Sequence, residues 1–127
     1  MTELIGRRAF LAGVGIAGLG TAALLAGCAP AELVPVPSDE DATDVAVTVQ
    51  VTDNRFEPAE VTIKPGQAVR WEFLGTAKHD VVSDDRSFVS ELKRDGSYTH
   101  LFDEAGEFPY LCSIHAEMRG VVTVESL

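Results

Sequence analysis

Near the end of this 127-residue chain, "YLCSIHAEMRG" (Tyr110 to Gly120) sets Cys112, His115 and Met118 at steps of three. Thiolate, imidazole and thioether are all metal donors, and a chain reversal within a few residues brings positions three apart to within about 7 Å. One loop can therefore offer three donors to one ion. A fourth comes from His79 in "AKHDVV", at the start of a candidate strand. Two imidazoles and one thiolate in a trigonal arrangement, with a weak thioether on the axis, describe a blue-copper electron-transfer site. Structural zinc takes four firm ligands, among which thioether sulfur is a poor choice. Iron–sulfur clusters need more thiolates than two cysteines supply. The donor set predicts one type 1 copper per chain, held by His79, Cys112, His115 and Met118.

Such a site needs a stiff frame, and the sequence from Val45 onward supplies one. Val45, Val47, Val49 and Val51 alternate with Ala46, Thr48 and Gln50, and Val61, Ile63, Val69, Trp71 and Phe73 follow the same period of two. These are strands with one buried face. "EPAE", "KPGQ", "RDGS" and "EAGE" read as turns between them. Val81-Val82, Tyr98 to Phe102, Phe108 to Leu111 and Val121 to Val124 continue the series, with Cys112 closing one strand and Gly120 preceding the next. No segment carries a helical stripe. The expected fold class is all-β, a Greek-key sandwich over residues 45–127.

The N-terminus reads as an address. "GRRAFLAGVGIAGLGTAALLAGC" pairs Arg7 with Arg8, continues as a glycine-rich apolar run and ends at Leu25-Ala26-Gly27-Cys28. It resembles a twin-arginine export signal over residues 1–27 followed by a lipobox, in which Cys28 becomes the lipidated first residue. An uncleaved transmembrane helix over Ala9 to Gly27 is the alternative, weakened by five glycines in that run. Either way the domain is expected on the outer, extracytoplasmic face of the cytoplasmic membrane, tied to it. Residues 28–44 contain "APAELVPVPSDEDATD", with three prolines and five acids. They read as a flexible linker reaching roughly 40–50 Å at about 3 Å per residue, with a loosely added edge strand at Leu33 to Val36 left open.

Charge narrows the partners. The first 27 residues hold two of the 10 basic and one of the 20 acidic residues, so the remainder carries 8 against 19, a net −11. A surface this acidic repels phosphate backbones, so nucleic acid is excluded as a partner and cation-bearing proteins are favoured. If Cys28 carries lipid, Cys112 has no partner for a disulfide, and a thiol outside the cell is open to oxidation unless a metal protects it.

From Phe56 to Val124 the chain resembles a cupredoxin of the small plastocyanin, amicyanin and halocyanin group. The resemblance lies in "FEPAEVTIKPGQAVRWEF", in "KHDVV", and in "FDEAGEFPYLCSIHAEMRGVVTV" with the copper loop inside it. It implies an eight-stranded cupredoxin-like Greek-key sandwich with copper at one end. It also implies a carrier, not an enzyme, that shuttles single electrons between larger redox proteins. On that resemblance the loop histidine, His115, presents the exposed edge through which electrons pass, with Ile114 and Ala116 as an apolar rim. Asp80 departs from the asparagine that family members carry after the first histidine, which helps tie the two ligand loops together. An ionised aspartate accepts hydrogen bonds and donates none, so an altered tie is expected. The interval from His79 to Cys112 is also shorter than in plastocyanin proper.

Other residues take plainer readings. His100 lies in phase with Tyr98 and Phe102 and is expected to be structural. Trp71, in phase with Val69 and Phe73, reads as core. Asp84 and Asp85 point opposite ways on an extended chain and read as a solvated loop. Two other functions use parts of the same sequence. Copper storage or delivery would employ the same ligands, and a metal-free β-sandwich binding module would leave the Cys-His-Met spacing unexplained. A copper enzyme needs an open coordination position, which four protein ligands fill. The expected protein is a monomeric electron carrier with redox protein donors and acceptors.

Overall fold

The seven segments read as strands all form strands in the computed structural model, which describes residues 32–127, and an eighth, short strand forms at Arg55–Glu57, running into the "EPAE" stretch read as a turn. The export signal expected over 1–27 and the lipidation site Cys28 lie outside the described residues. The strands are β1 (Val45–Thr52), β2 (Arg55–Glu57), β3 (Glu60–Ile63), β4 (Gln67–Phe73), β5 (Val82–Ser83), β6 (Ser97–Phe102), β7 (Gly106–Leu111) and β8 (Arg119–Val124). They form two four-stranded sheets, ordered β2-β1-β4-β6 and β3-β8-β7-β5. The expected all-β sandwich is the fold observed.

Each sheet contains one parallel pair, β1 with β4 and β3 with β8, among antiparallel neighbours. Period-two patterning cannot distinguish these, because it specifies which face is buried and not which strand lies alongside. β7 and β8 both begin earlier than the sequence pattern indicates. Gly106 pairs with Val124, and Gly120 lies within β8 opposite Tyr110, instead of preceding the strand. A glycine is needed there, because a Cβ at 120 would collide with the phenol end of Tyr110 and lie 2.9 Å from the Ala59 carbonyl oxygen.

The inward faces meet in one core. Val49, Val51, Phe56, Val69, Trp71, Phe88, Tyr110 and Val122 are all at most 2% exposed. Trp71 stacks on Phe88 at 5.4 Å and meets Tyr110 edge-on at 5.4 Å, so its expected core role holds. Cys112 and Met118 belong to the same apolar cluster. Both ends of the candidate loop are thus part of the core.

Of the linker expected over 28–44, the described part, residues 32–44, differs from a free spacer. From Val36 onward the segment is hydrogen-bonded to the sandwich instead of extending freely. Val36 N donates to Val89 O (2.7 Å) and Asp39 N to Thr99 O (2.8 Å). Thr99 N donates to Ser38 Oγ (3.0 Å) and Leu101 N to Asp39 Oδ2 (2.7 Å). The reason lies in the sheet. β6 is an edge strand, whose outward N–H and C=O groups would otherwise face water, and the acidic segment satisfies them.

Candidate metal centre

His79 sits where the chain leaves β4 and approaches β5. Its own N–H donates to Lys93 O (2.9 Å) and its carbonyl accepts from Lys93 N (2.8 Å). This two-bond bridge fixes the backbone, and the side chain is only 1% exposed. Cys112, directly after β7, is fully buried. The chain then reverses. Met118 N donates to His115 O (2.8 Å) and Cys112 N to Met118 O (3.2 Å), so the loop is closed by its own backbone. Met118 is 1% exposed at its base, and His115 is half-buried.

The three strong donors converge as the spacing predicts. Cys112 Sγ lies 3.8 Å from His79 Nδ1 and 3.8 Å from His115 Nδ1. All three donor atoms lie within 4.8 Å of one another, and the two imidazole rings have centroids 4.9 Å apart. Sulfur at about 2.3 Å and nitrogen at about 2.0 Å from one ion, about 120° apart, are separated by about 3.7 Å. The observed gaps therefore fit one ion among the three atoms. Met118 joins the loop bonds and the core around this cluster.

Burial pushes the Cys112 thiol above its ordinary range, although nearby backbone N–H groups pull the other way. A coordinated thiolate must lose that proton, so metal uptake is linked to proton release. Cys112 and Met118 pack into the apolar core, and the site is open at His115, where Ile114 is 52% exposed and Ala116 is exposed too.

Two carboxylates complete the surroundings. Asp80, 3% exposed, accepts from Ser113 N (2.7 Å) and from Ser113 Oγ (2.6 Å). The altered tie expected from aspartate is therefore one in which Ser113 does all the donating. Asp53, which sequence reasoning missed, accepts from His79 Nε2 at 2.9 Å. It also accepts from Thr76 Oγ1 (2.6 Å), Thr76 N (3.1 Å) and Ala77 N (3.2 Å). These donors, the Thr76 hydroxyl first and His79 next, hold its carboxyl well below the usual carboxylate range. Its one sequence signal is the two-residue turn Asp53-Asn54 between β1 and β2, with Asn54 at φ 77°. Nothing in that turn points 26 residues ahead to His79.

The remaining candidates stay outside the cluster. His100 packs on Phe88 (5.0 Å) and Phe102 (4.7 Å), with Nδ1 3.6 Å from Asp39 Oδ2, too long for a hydrogen bond. Asp84 and Asp85 are exposed.

Comparison with known proteins gives the same answer as the geometry. The family model described as "Cupredoxin-like domain" matches residues 18–124. Amicyanin of Paracoccus versutus is 33% identical over 102 residues, which cover 76% of this chain and 73% of that protein. A solved Cu(I) form of an amicyanin variant superposes with TM-score 0.59 at 29% identity, covering 74% of this chain and 94% of that one. A purple cupredoxin from Nitrosopumilus maritimus shares the fold, with TM-score 0.59 at 23% identity over 62% of this chain and 99% of that one. With its donor cluster at one end of an eight-stranded sandwich, the chain belongs to the cupredoxin-like family.

Proposed function

We propose that this protein is a blue-copper electron carrier, holding one type 1 copper on His79, Cys112, His115 and Met118 and passing single electrons between redox proteins. The observation that carries this reading is the convergence of His79 Nδ1, Cys112 Sγ and His115 Nδ1, with both nitrogens 3.8 Å from the sulfur. Copper bound there supplies a one-electron couple between Cu(II) and Cu(I).

The chain's own residues provide what such a couple requires. His79 is held by backbone bonds on one side and by Asp53 on the other, and Cys112 is anchored at the end of β7. Their positions are fixed by the sandwich, so little rearrangement accompanies a change of charge. Cys112 supplies the strong thiolate and Met118 the weak sulfur that tunes the potential. His115 is the half-exposed ligand, and it gives a partner protein a short path to the centre. The exposed Ile114 beside it offers an apolar contact.

The setting of this activity belongs to the same proposal. Export by the twin-arginine route and lipidation at Cys28 would keep the 45–127 domain on the outer face of the cytoplasmic membrane, within reach of membrane-associated donors and acceptors. The paired arginines and "LLAGC" support this.

The direct test is to titrate the detergent-extracted full chain with Cu(II). One equivalent should bind and give an intense blue band, and Cys112→Ser should lose it. A band that persists in that variant, or a colourless wild type, would overturn the reading.

A further inference from the structure

Asp53 stands in a turn on the far side of His79 from Cys112, and its contacts go beyond what closing a hairpin requires. Four donors converge on its two oxygens: Thr76 Oγ1 and Thr76 N on Oδ2, Ala77 N and His79 Nε2 on Oδ1. An amide in its place would turn an NH₂ group toward one of these donor pairs, so the arrangement calls for a carboxylate. The contact also depends on a glycine. A Cβ at Gly75 would lie 2.5 Å from Asp53 Oδ1 and 3.1 Å from His79 Nε2, so any larger residue would displace one or both groups.

We propose that Asp53 is the positioning residue for the buried ligand His79, holding Nε2–H so that Nδ1 faces Cys112 and lending the imidazole negative charge that favours Cu(II). This rests on the copper-carrier reading of the site. An imidazole has two nitrogens and two neutral tautomers, and only the one protonated on Nε2 leaves Nδ1 free to bind a metal. Donation from Nε2–H to a carboxylate selects that tautomer, fixes the ring's rotation and makes the opposite nitrogen a better donor. A better nitrogen donor and a nearby negative charge both stabilise the more highly charged ion. Asp53 should therefore lower the reduction potential.

The test uses the full chain in detergent, with two variants that separate geometry from charge. Asp53→Asn removes the charge and weakens the grip on Nε2–H. Gly75→Ala keeps every charge and pushes the carboxylate away from the ring. Voltammetry should show both variants with the Cu(II)/Cu(I) equilibrium moved roughly threefold or more toward Cu(I), about 28 mV on a scale of 59 mV per decade for one electron. NMR of the metal-free and Cu(I) chains should show the His79 Nε2 proton hydrogen-bonded and slow to exchange in wild type, and faster to exchange in both variants. A shift in Asp53→Asn with Gly75→Ala like wild type in potential and exchange would reduce Asp53 to a distant charge and overturn the positioning role. Unchanged potential and exchange in Asp53→Asn would overturn the proposal whether or not Gly75→Ala folds. If wild type shows no blue band, the copper reading fails, while the exchange data still decide whether Asp53 holds His79.

Discussion

Asp80 and Ser113, 33 residues apart, are joined twice: the carboxylate accepts the Ser113 backbone N–H at 2.7 Å and its hydroxyl at 2.6 Å. Each residue is the immediate neighbour of a proposed ligand, Asp80 of His79 and Ser113 of Cys112. The pair therefore ties the segment that carries His79 to the one that carries Cys112, beside the 3.8 Å approach of Cys112 Sγ to His79 Nδ1. Asp80→Ala should cost about 1–2 kcal/mol, within the range for removing a hydrogen-bonded partner from a buried site. Asp80→Asn should cost less, because its amide oxygen still accepts the N–H and its NH₂ can donate to the hydroxyl. Guanidinium unfolding of both variants checks the order, and a double-mutant cycle with Ser113→Ala should give a coupling of about 0.5 kcal/mol or more. Equal costs for Asn and Ala would show that the link is not a stabilising one.

Gly120→Ala should destabilise the sandwich by about 1–3 kcal/mol through overpacking. The added Cβ would meet Tyr110, which is held between Phe56 (4.8 Å) and Trp71 (5.4 Å) and has no room to swing. It would also press on Ala59 O, which is fixed by a 2.9 Å bond from Val121 N. A midpoint of denaturation unchanged from wild type would mean that β8 can slide locally at this position.

His100 should give the protein an acid-sensitive component of stability. Burial is the largest influence and disfavours its charged form, so its folded pKa lies below the ordinary 6.5, although Asp39, Asp103 and Asp85 oppose the shift. The unfolded chain then binds the proton first as pH falls. Stability is full above about pH 6.5 and declines as pH drops through 6.5 toward the folded value. His100→Phe, packed against Phe88 and Phe102, should remove that component. The stability of wild type relative to the variant, measured from pH 7.5 to 5, should fall with acid. A difference that stays constant would show that the neighbouring carboxylates cancel burial, and one that rises with acid that they outweigh it; either overturns the prediction.

Attachment can be read by mass. Intact-mass measurement of membrane-extracted protein should find a chain beginning at Cys28 and carrying added lipid mass, and Cys28→Ala should abolish that species. Mature protein that retains residues 1–27 would identify an uncleaved anchor instead.

The sequence by itself determined seven of the eight strands, the loop and the donor types, because each depends on neighbours a few positions away, while the three-residue β2 is too short to show a period. Period-two alternation marks the inward face of β1 and β4, and steps of three in a reversing loop bring Cys112, His115 and Met118 together without help from the rest of the chain. His79 was legible only as a fourth donor of the right type. Tertiary structure decided what surrounds them. Asp53 reaches His79 across 26 residues, and Asp80 reaches Ser113 across 33. Segment 36–44 docks on the edge of β6 some 60 positions later in the chain. Those contacts depend on which strand pairs with which and in what register, as in the parallel match of β1 with β4. Local periodicity carries no record of that choice, because an edge of free N–H and C=O groups or a lone imidazole N–H is completed by whatever partner the assembled sheets bring within about 3 Å.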